Sequence, residues 1–317
     1  MFESLLSNTR MKQELSRAIA AGKPMHAYLF CGADGSGKMT AAKLLATELV
    51  GGDRGKAERG THPDIFVLEP ETGKKLISVQ QVRNMRNDAF INPSEGVRKI
   101  YIVDGMERVN EAGQNALLTI LEQPPSFATF ILLSESREKV LPTVISRCSV
   151  FEMEYVDADE GTELLKKQMP AQDPERLRSF MKAAQGNVGH ALKLATNNEF
   201  EEQEKQCTAI AYAMASKDAY TLAKLLSPFT KDTLPAFLPV LAMYLKDVLV
   251  SRCAPGAELV FRQSILQNKT VFDKIDINTL YDGVSECEKA MKLLEGNVSS
   301  MLITATLAIR LGGTRID

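Results

Sequence analysis

At 317 residues the chain is long enough for two or three domains, and its 44% hydrophobic and 25% charged residues are ordinary for a soluble globular protein. The formal net charge of -2 excludes an overall basic field that attracts nucleic acid, so any contact with DNA has to be local or supplied by partners. The five cysteines are scattered without a C-x2-C pair, and there is no signal peptide or run of about 18 apolar residues, so we expect a cytoplasmic protein without disulfides, zinc or a membrane segment.

The chain begins with a predicted amphipathic helix over residues 1–24, followed by a short apolar strand at residues 26–30. Soon after the strand comes the sequence G-A-D-G-S-G-K-M-T at residues 32–40, and a helical pattern begins at Ala41. This succession of strand, glycine-rich loop and helix is the context that a phosphate-binding loop requires. The alternative is an ordinary glycine-rich turn before a helix.

The loop contains the residues that hold a phosphate group. Gly32, Gly35 and Gly37 allow the backbone to curl so that successive N–H groups point at one anion. Lys38 follows at the spacing at which a lysine reaches the outer phosphates of a nucleotide. We therefore predict that these four residues form a nucleotide-binding cradle.

The residue after the lysine departs from the phosphate-loop pattern. A serine or threonine hydroxyl there ligates magnesium, whereas this chain has Met39, whose thioether is a poor partner for a hard cation. Thr40 carries a hydroxyl, but one residue further along a helix it is rotated by about 100°. We therefore expect a degenerate site with no bound metal, in which weak binding of ATP or ADP, with Thr40 as a further contact, stays open.

Strands and helices alternate over the first half of the chain, which predicts an α/β domain with a parallel sheet. The further elements predicted here are a surface loop at residues 51–61, buried strands at 65–68, 99–103 and 129–133, a final edge strand at 149–153, and helices at 78–85, 110–123 and 139–145. Ser78 and Gln81 form a predicted capping box at the start of one of these helices.

Asp104 follows the predicted strand at residues 99–103, where P-loop nucleotidases place the carboxylate that holds magnesium through water. Hydrolysing ATPases have a glutamate next, which polarises the attacking water, but this chain has Gly105. Glu107 is displaced by two residues from that place and is unsuitable as a base, because a base has to lie within hydrogen-bond reach of its water. We therefore predict no intrinsic ATP hydrolysis.

Two residues near strand ends are candidates for phosphate contacts. Ser134 follows the predicted strand at residues 129–133, where many such ATPases contact the γ-phosphate, but it fits an ordinary loop residue equally well. Arg147 precedes the predicted edge strand. It is either a solvated charge or an arginine finger, whose fork of donors binds phosphate in its own subunit or in a neighbour.

From residue 156 onwards only helices are predicted. Three short helices fall at residues 157–169, 173–185 and 189–196, and residues 206–317 are helical throughout, with apolar stripes that are typical of a helical core.

Several motifs resemble those of the clamp-loader AAA+ subunits of bacterial DNA polymerase III. They are H-A-Y-L-F at residues 26–30, the phosphate loop, N-A-L-L and L-E-Q-P-P within residues 115–125, and L-P followed by S-R-C within residues 141–148. The resemblance covers the whole chain. It implies an AAA+ P-loop domain at residues 1–155, a small helical lid at 156–204 and an all-α collar at 205–317 that assembles a ring.

The resemblance also implies a function and partners. A pentameric ring that includes gamma/tau-like ATPase subunits and a delta-like subunit binds ATP at its interfaces, opens the sliding clamp and places it on primed DNA. Arg147 matches the family arginine that points into the ATP site of a neighbour. The missing hydrolytic groups imply a fixed, non-hydrolysing subunit of the polymerase holoenzyme, which meets the clamp and DNA through the complex and needs no cofactor of its own.

The sequence departs from the family in two further places. Many members have four zinc-binding cysteines after the phosphate loop, but residues 51–61 contain none, so we predict no zinc. Gly189 stands where active subunits carry a sensor arginine in the lid, and the adjacent His190 cannot replace a permanently charged fork.

Two other functions stay open at this point. One is an active ATPase subunit that uses Thr40 or water on magnesium. The other is an initiator-type or helicase-loading ATPase, which needs a DNA-binding module for which residues 310–317 are too short.

Overall fold

The computed structural model describes residues 2, 5–197, 199–254, 256–296 and 298–312. The chain divides into two compact units, one of residues 1–161 with 187–190 and the other of residues 162–186 with 191–317. The helix Glu199–Ser216 runs through the predicted boundary between lid and collar at residues 204 and 205, and the division into three domains stays a prediction. Residues 1, 3 and 4 of the predicted first helix and residues 313–317 of the predicted collar lie outside the described residues.

The first unit is an α/β domain with a parallel sheet, as predicted. Its elements are α1 (Thr9–Ala20), β1 (Ala27–Cys31), α2 (Lys38–Val50), α3 (Arg54–Glu58), β2 (Ile65–Leu68), α4 (Val79–Asp88), β3 (Lys99–Asp104), α5 (Glu111–Glu122), β4 (Ala128–Ser134), α6 (Pro142–Ile145) and β5 (Ser149–Glu152). The strands lie in the order β2-β3-β4-β1-β5, and every neighbouring pair is parallel.

Alternate side chains of the sheet pack into a hydrophobic core on each of its faces. Leu29, Tyr101 and Phe130 pack on the face covered by α4, α5 and α6. Phe30 and Ile131 pack on the opposite face, against α1 and α2. The connection that leaves β1 leads to α2 on one face, and the connection that leaves β4 leads to α6 on the other, so these neighbouring strands form a topological switch point. Ligands of open α/β sheets bind beyond the carboxyl ends of the strands at such a point.

Two predictions for the early part of the chain were wrong in their extent. The first helix begins only at Thr9, because Asn8 has a left-handed backbone with φ 53°, and it ends at Ala20. The predicted surface loop at residues 51–61 contains the short helix α3, which forms because the Asp53 carboxylate accepts a hydrogen bond from Lys56 N at 3.2 Å.

Two other predictions failed because of tertiary position and proline chemistry. The strand β2 is not buried: it lies at the edge of the sheet, and Phe66 and Val67 are 37% and 42% exposed. The predicted helix at residues 139–145 is a 3-10 turn at Arg137–Lys139 followed by the four-residue α6, because Pro142 lacks an N–H and begins a helix rather than continuing one. The capping box is confirmed, with Gln81 N donating to Ser78 Oγ and Ser78 N donating to Gln81 Oε1.

After β5 the described residues form helices joined by turns, and none of them forms a strand. The helices are α7 (Ala158–Gln168), α8 (Pro174–Ala183), α9 (Val188–Thr196), α10 (Glu199–Ser216), α11 (Ala219–Leu226), α12 (Leu234–Cys253), α13 (Arg262–Gln267), α14 (Lys269–Phe272), α15 (Ile277–Glu295) and α16 (Ser300–Leu311). Among the described helices, α12 alone is long and apolar enough to cross a membrane by length and composition. It is a core helix of the second unit: Leu241 and Leu245 are fully buried, and the buried Asp247 accepts a hydrogen bond from Phe261 N at 2.8 Å.

Gln114 joins the segments that follow β3 and precede α6. The side chain is buried in α5, and its Nε2 lies 3.1–3.2 Å from the carbonyl oxygens of Met106, Val109 and Lys139. Its Oε1 accepts a hydrogen bond from Leu141 N at 2.9 Å. One amide therefore links the 3-10 turn that follows β3 to the 3-10 turn that precedes α6.

We expect Gln114→Ala to lower the free energy of unfolding by about 2 kcal/mol, because the carbonyls of Val109 and Lys139 and the Leu141 N–H lose the side chain that pairs with them. Urea or thermal unfolding of the purified chain measures this. The matched control is Gln123→Ala, which removes an exposed amide next to the end of the same helix and should cost about 0.5 kcal/mol or less. Equal stability of the two variants would contradict the role assigned to Gln114.

Candidate functional site

The predicted phosphate loop lies at the switch point, where β1 leads into α2. Gly32 N donates to Ser134 O at 3.0 Å, which extends the pairing of β1 with β4 by one residue. Gly35 and Gly37 have φ of +80° and +90°, a left-handed conformation that glycine adopts without a steric penalty, and Gly37 directly precedes α2. The structure thus brings the predicted glycines and Lys38 into one curled loop, and their binding of nucleotide stays a prediction.

The Lys38 side chain closes this loop. Its Nζ donates to Gly32 O at 2.5 Å and to Ala33 O at 2.8 Å. Burial lowers the pKa of Lys38, and the nearby negative charges of Asp34, Glu107, Glu135 and Asp104 oppose that effect. The ammonium group is therefore held by the loop backbone, close enough to Asp104 to interact with its charge. A phosphate group bound in the loop would be a further partner for it.

The two residues after Lys38 face different surroundings. Met39 is partly buried and packs against the hydrophobic core between the sheet and helices α1 and α2. Thr40 is exposed on α2. The departure from the phosphate-loop pattern at position 39 therefore contributes to packing. Within the described residues, no group of three or more His, Cys, Asp or Glu side chains is placed to hold a metal ion, and the absence of zinc stays a prediction.

The backbone after β3 disfavours a glutamate at position 105. Gly105 has φ +96°, a conformation that is strained for any residue with a Cβ, and the nearest atom to such a Cβ would be Glu107 Oε1 at 2.8 Å, the end of a flexible side chain. Glu107 instead accepts a hydrogen bond from Glu135 N at 3.1 Å. Ser134 Oγ is buried and lies 2.8 Å from Ser136 O and 3.4 Å from Glu107 Oε2. Glu107 and Ser134 thus brace the end of β4, a role that the sequence did not indicate.

Residues 187–190 pack against the outer edge of the phosphate loop. Asn187 Nδ2 donates to Asp34 O at 2.7 Å, and Gly189 N donates to Gly35 O at 3.0 Å. A Cβ on Gly189 would lie 2.6 Å from Gly35 Cα and 2.8 Å from its carbonyl oxygen. The position where a sensor arginine was expected therefore touches the loop backbone directly. Sequence reasoning missed Asn187, for which a Gly-Asn pair before a helix was the only signal.

Arg147 lies at the amino ends of the strands, whereas the phosphate loop lies at their carboxyl ends. In the register of β1 and β5, Tyr28 pairs with Ser149, and Arg147 lies in the turn before Ser149. Gly32 lies four residues beyond Tyr28, a span of about 13 Å in an extended strand. The Arg147 guanidinium is held at the amino ends of the strands, by Thr143 and Glu122. Arg147 therefore cannot contact a phosphate group in the loop of its own chain.

The Arg147 guanidinium is held by its own chain. Nη1 donates to Thr143 O at 2.7 Å and to Ser146 Oγ at 3.2 Å, and Nη2 donates to Glu122 Oε1 at 2.5 Å. The Arg147 and Glu122 side chains are 32% and 50% exposed, so this ion pair contributes only about 0–1 kcal/mol to stability. Two of the motifs that carry the family resemblance, L-E-Q-P-P and S-R-C, are thus joined by one ion pair.

The parallel sheet, the glycine loop after β1 and the helical remainder define an α/β domain of the P-loop type followed by an all-α region. A family model described as DNA polymerase III, delta subunit, matches residues 7–157. The chain is 30% identical over 192 residues to DNA polymerase III subunit delta' of Escherichia coli, an alignment that spans 61% of this chain and 56% of that relative's length. It is 25% identical over 301 residues to subunit delta' of Bacillus subtilis, with 89% and 90% of the two chains covered.

A solved structure, a DNA polymerase III gamma subunit-related protein from Thermotoga maritima, aligns over 95% of this chain and 98% of its own length, at 17% identity and a TM-score of 0.45. The predicted resemblance to the delta-prime subunit of bacterial DNA polymerase III is confirmed by the family model and the two delta-prime relatives.

Proposed function

We propose that this chain is a non-hydrolysing, delta-prime-like subunit of a bacterial clamp loader, which places Arg147 in the ATP site of a neighbouring subunit. The observation that carries this proposal is the position of Arg147: it is anchored, partly exposed and lies at the amino ends of the strands, whereas its own phosphate loop lies beyond their carboxyl ends. A phosphate-binding role for this arginine therefore requires a phosphate group held by another chain.

The proposed partners are gamma/tau-like ATPase subunits and a delta-like subunit in a cytoplasmic pentameric ring. Through this ring the chain would help to load the sliding clamp onto primed DNA. The relation to delta-prime subunits supports this assignment. The net charge of -2 supports contact with DNA through the complex rather than through a basic surface of this chain.

Three local features support the absence of hydrolysis. Met39 packs into the core where a magnesium-ligating hydroxyl is needed. Gly105 occupies the place of the catalytic glutamate, and Glu107 is engaged with Glu135 N. The alternative, an active ATPase subunit that ligates magnesium through Thr40, has less support because Thr40 is exposed on α2, one residue past the ligand position.

We expect the purified chain to show no magnesium-dependent ATP turnover above a protein-free blank, because both hydrolytic groups are missing. Steady-state phosphate release measures this, and Lys38→Ala is expected to leave the trace unchanged. Calorimetry with ATP and ADP tests the separate proposal of weak binding through the loop N–H groups and Lys38. Turnover that Lys38→Ala abolishes would favour the active ATPase subunit.

A further inference from the structure

The Arg147 side chain is fixed from two directions by its own chain. One anchor is the end of α6, which supplies Thr143 O and Ser146 Oγ to Nη1. The other is Glu122, the last residue of α5, whose carboxylate accepts from Nη2. Arginine side chains have many rotamers, and holding both Nη atoms removes most of that freedom before any ligand arrives.

The anchors leave part of the guanidinium fork available. An arginine has five N–H donors, and the three hydrogen bonds to Thr143, Ser146 and Glu122 use three of them. Within the described residues, Nε–H and the second Nη2–H make no further hydrogen bond. Two such donors can bind a phosphate group, and the side chain is 32% exposed.

The helix that carries the anchoring carboxylate is well fixed at its end. Leu117, Ile120 and Leu121 of α5 are buried in the core beneath the sheet, so the backbone at Glu122 has little freedom. Pro124 and Pro125 follow after one residue, Gln123, and prevent the helix from continuing. Because the ion pair is too exposed to stabilise the fold appreciably, its physical effect is on the orientation of the arginine.

We propose that Glu122 is a positioning residue for Arg147: it holds the guanidinium so that the two remaining N–H donors meet a phosphate group of the nucleotide in the neighbouring subunit. This inference rests on the proposed function of Arg147. It adds a second residue of this chain to that site, one that never touches the nucleotide and acts only through the arginine. Preorganisation of this kind raises turnover because the orientation is achieved before the transition state forms.

The test is a double-mutant cycle in the complex reconstituted with the gamma/tau-like and delta-like subunits, with clamp and primed DNA present. We expect Glu122→Ala to lower kcat for ATP by about threefold to fivefold, with the KM for ATP unchanged within about twofold, because the neighbour's own loop sets nucleotide affinity. Glu122→Gln keeps an oxygen acceptor and should fall between Glu122→Ala and the wild type. Glu111→Ala removes an exposed charge from the other end of α5 and serves as the matched control.

The decisive comparison is made in the Arg147→Ala background, where Glu122→Ala should have no further effect on kcat. A full additional loss there would show that Glu122 acts independently of the arginine and would overturn the inference. A rise in kcat with Glu122→Ala would also overturn it, since the carboxylate would then restrain Arg147. If Arg147→Ala lowers turnover and Glu122→Ala matches Glu111→Ala, only this inference fails. Unchanged turnover with Arg147→Ala removes the proposed function as well.

Discussion

Arg147→Ala is expected to leave the reconstituted complex assembled and to lower its clamp-stimulated ATP turnover by about tenfold. Arginine fingers contribute on the order of 10³ to 10⁵ in rate in small GTPases. We expect a smaller effect here because a ring contains other ATP sites whose arginines are unchanged. Size-exclusion chromatography checks assembly, and phosphate release in the presence of clamp and primed DNA measures turnover.

The stability of the folded chain should be nearly unchanged by Arg147→Ala. The Arg147–Glu122 pair is exposed, so its loss should change the free energy of unfolding by about 1 kcal/mol or less. Arg10→Ala is the matched control, since Arg10 is also a surface arginine of the first unit, paired with Glu14 at 2.8 Å. Turnover equal to that of the Arg10 variant would remove the trans role from Arg147.

The sequence was informative where local chemistry decides the structure. The strand before the glycine loop, the loop itself and the capping box at Ser78 each depend on residues that are close in sequence, and each was found. The helix before Pro124 was also placed within one residue at each end, because an N-terminal cap and two prolines bound it.

Tertiary position could not be predicted in the same way. The I-F-V-L segment of β2 reads as a buried strand, yet its place at the sheet edge leaves Phe66 exposed, and strand order is not encoded in a four-residue pattern. The anchoring of Arg147 by Glu122 joins residues 25 positions apart. Both residues stood in motifs that the sequence analysis quoted, but only the fold brings them together.

The contact between Gly189 and the phosphate loop also depends on distant residues, and it gives a prediction that the sequence alone does not. The sequence places Gly189 where active subunits of the family carry a sensor arginine, but it does not show whether an arginine would fit there. The structure leaves no space for it: even a Cβ would lie 2.6 Å from Gly35 Cα, and the atoms it meets are backbone atoms that cannot rotate away.

We therefore expect Gly189→Arg to lower the free energy of unfolding by about 3 kcal/mol or to separate residues 187–190 from the loop, and in neither case to produce ATP turnover. Hydrogen exchange should detect either the loss of stability or the separation. The N–H at position 189 is protected by its hydrogen bond to Gly35 O, and it would exchange faster in both cases. His190→Arg is the matched control, since it adds the same side chain at the adjacent, exposed position. If Gly189→Arg keeps the protection and the stability of the control, the loop can accommodate a side chain at position 189. The steric explanation for the glycine at this position would then be wrong.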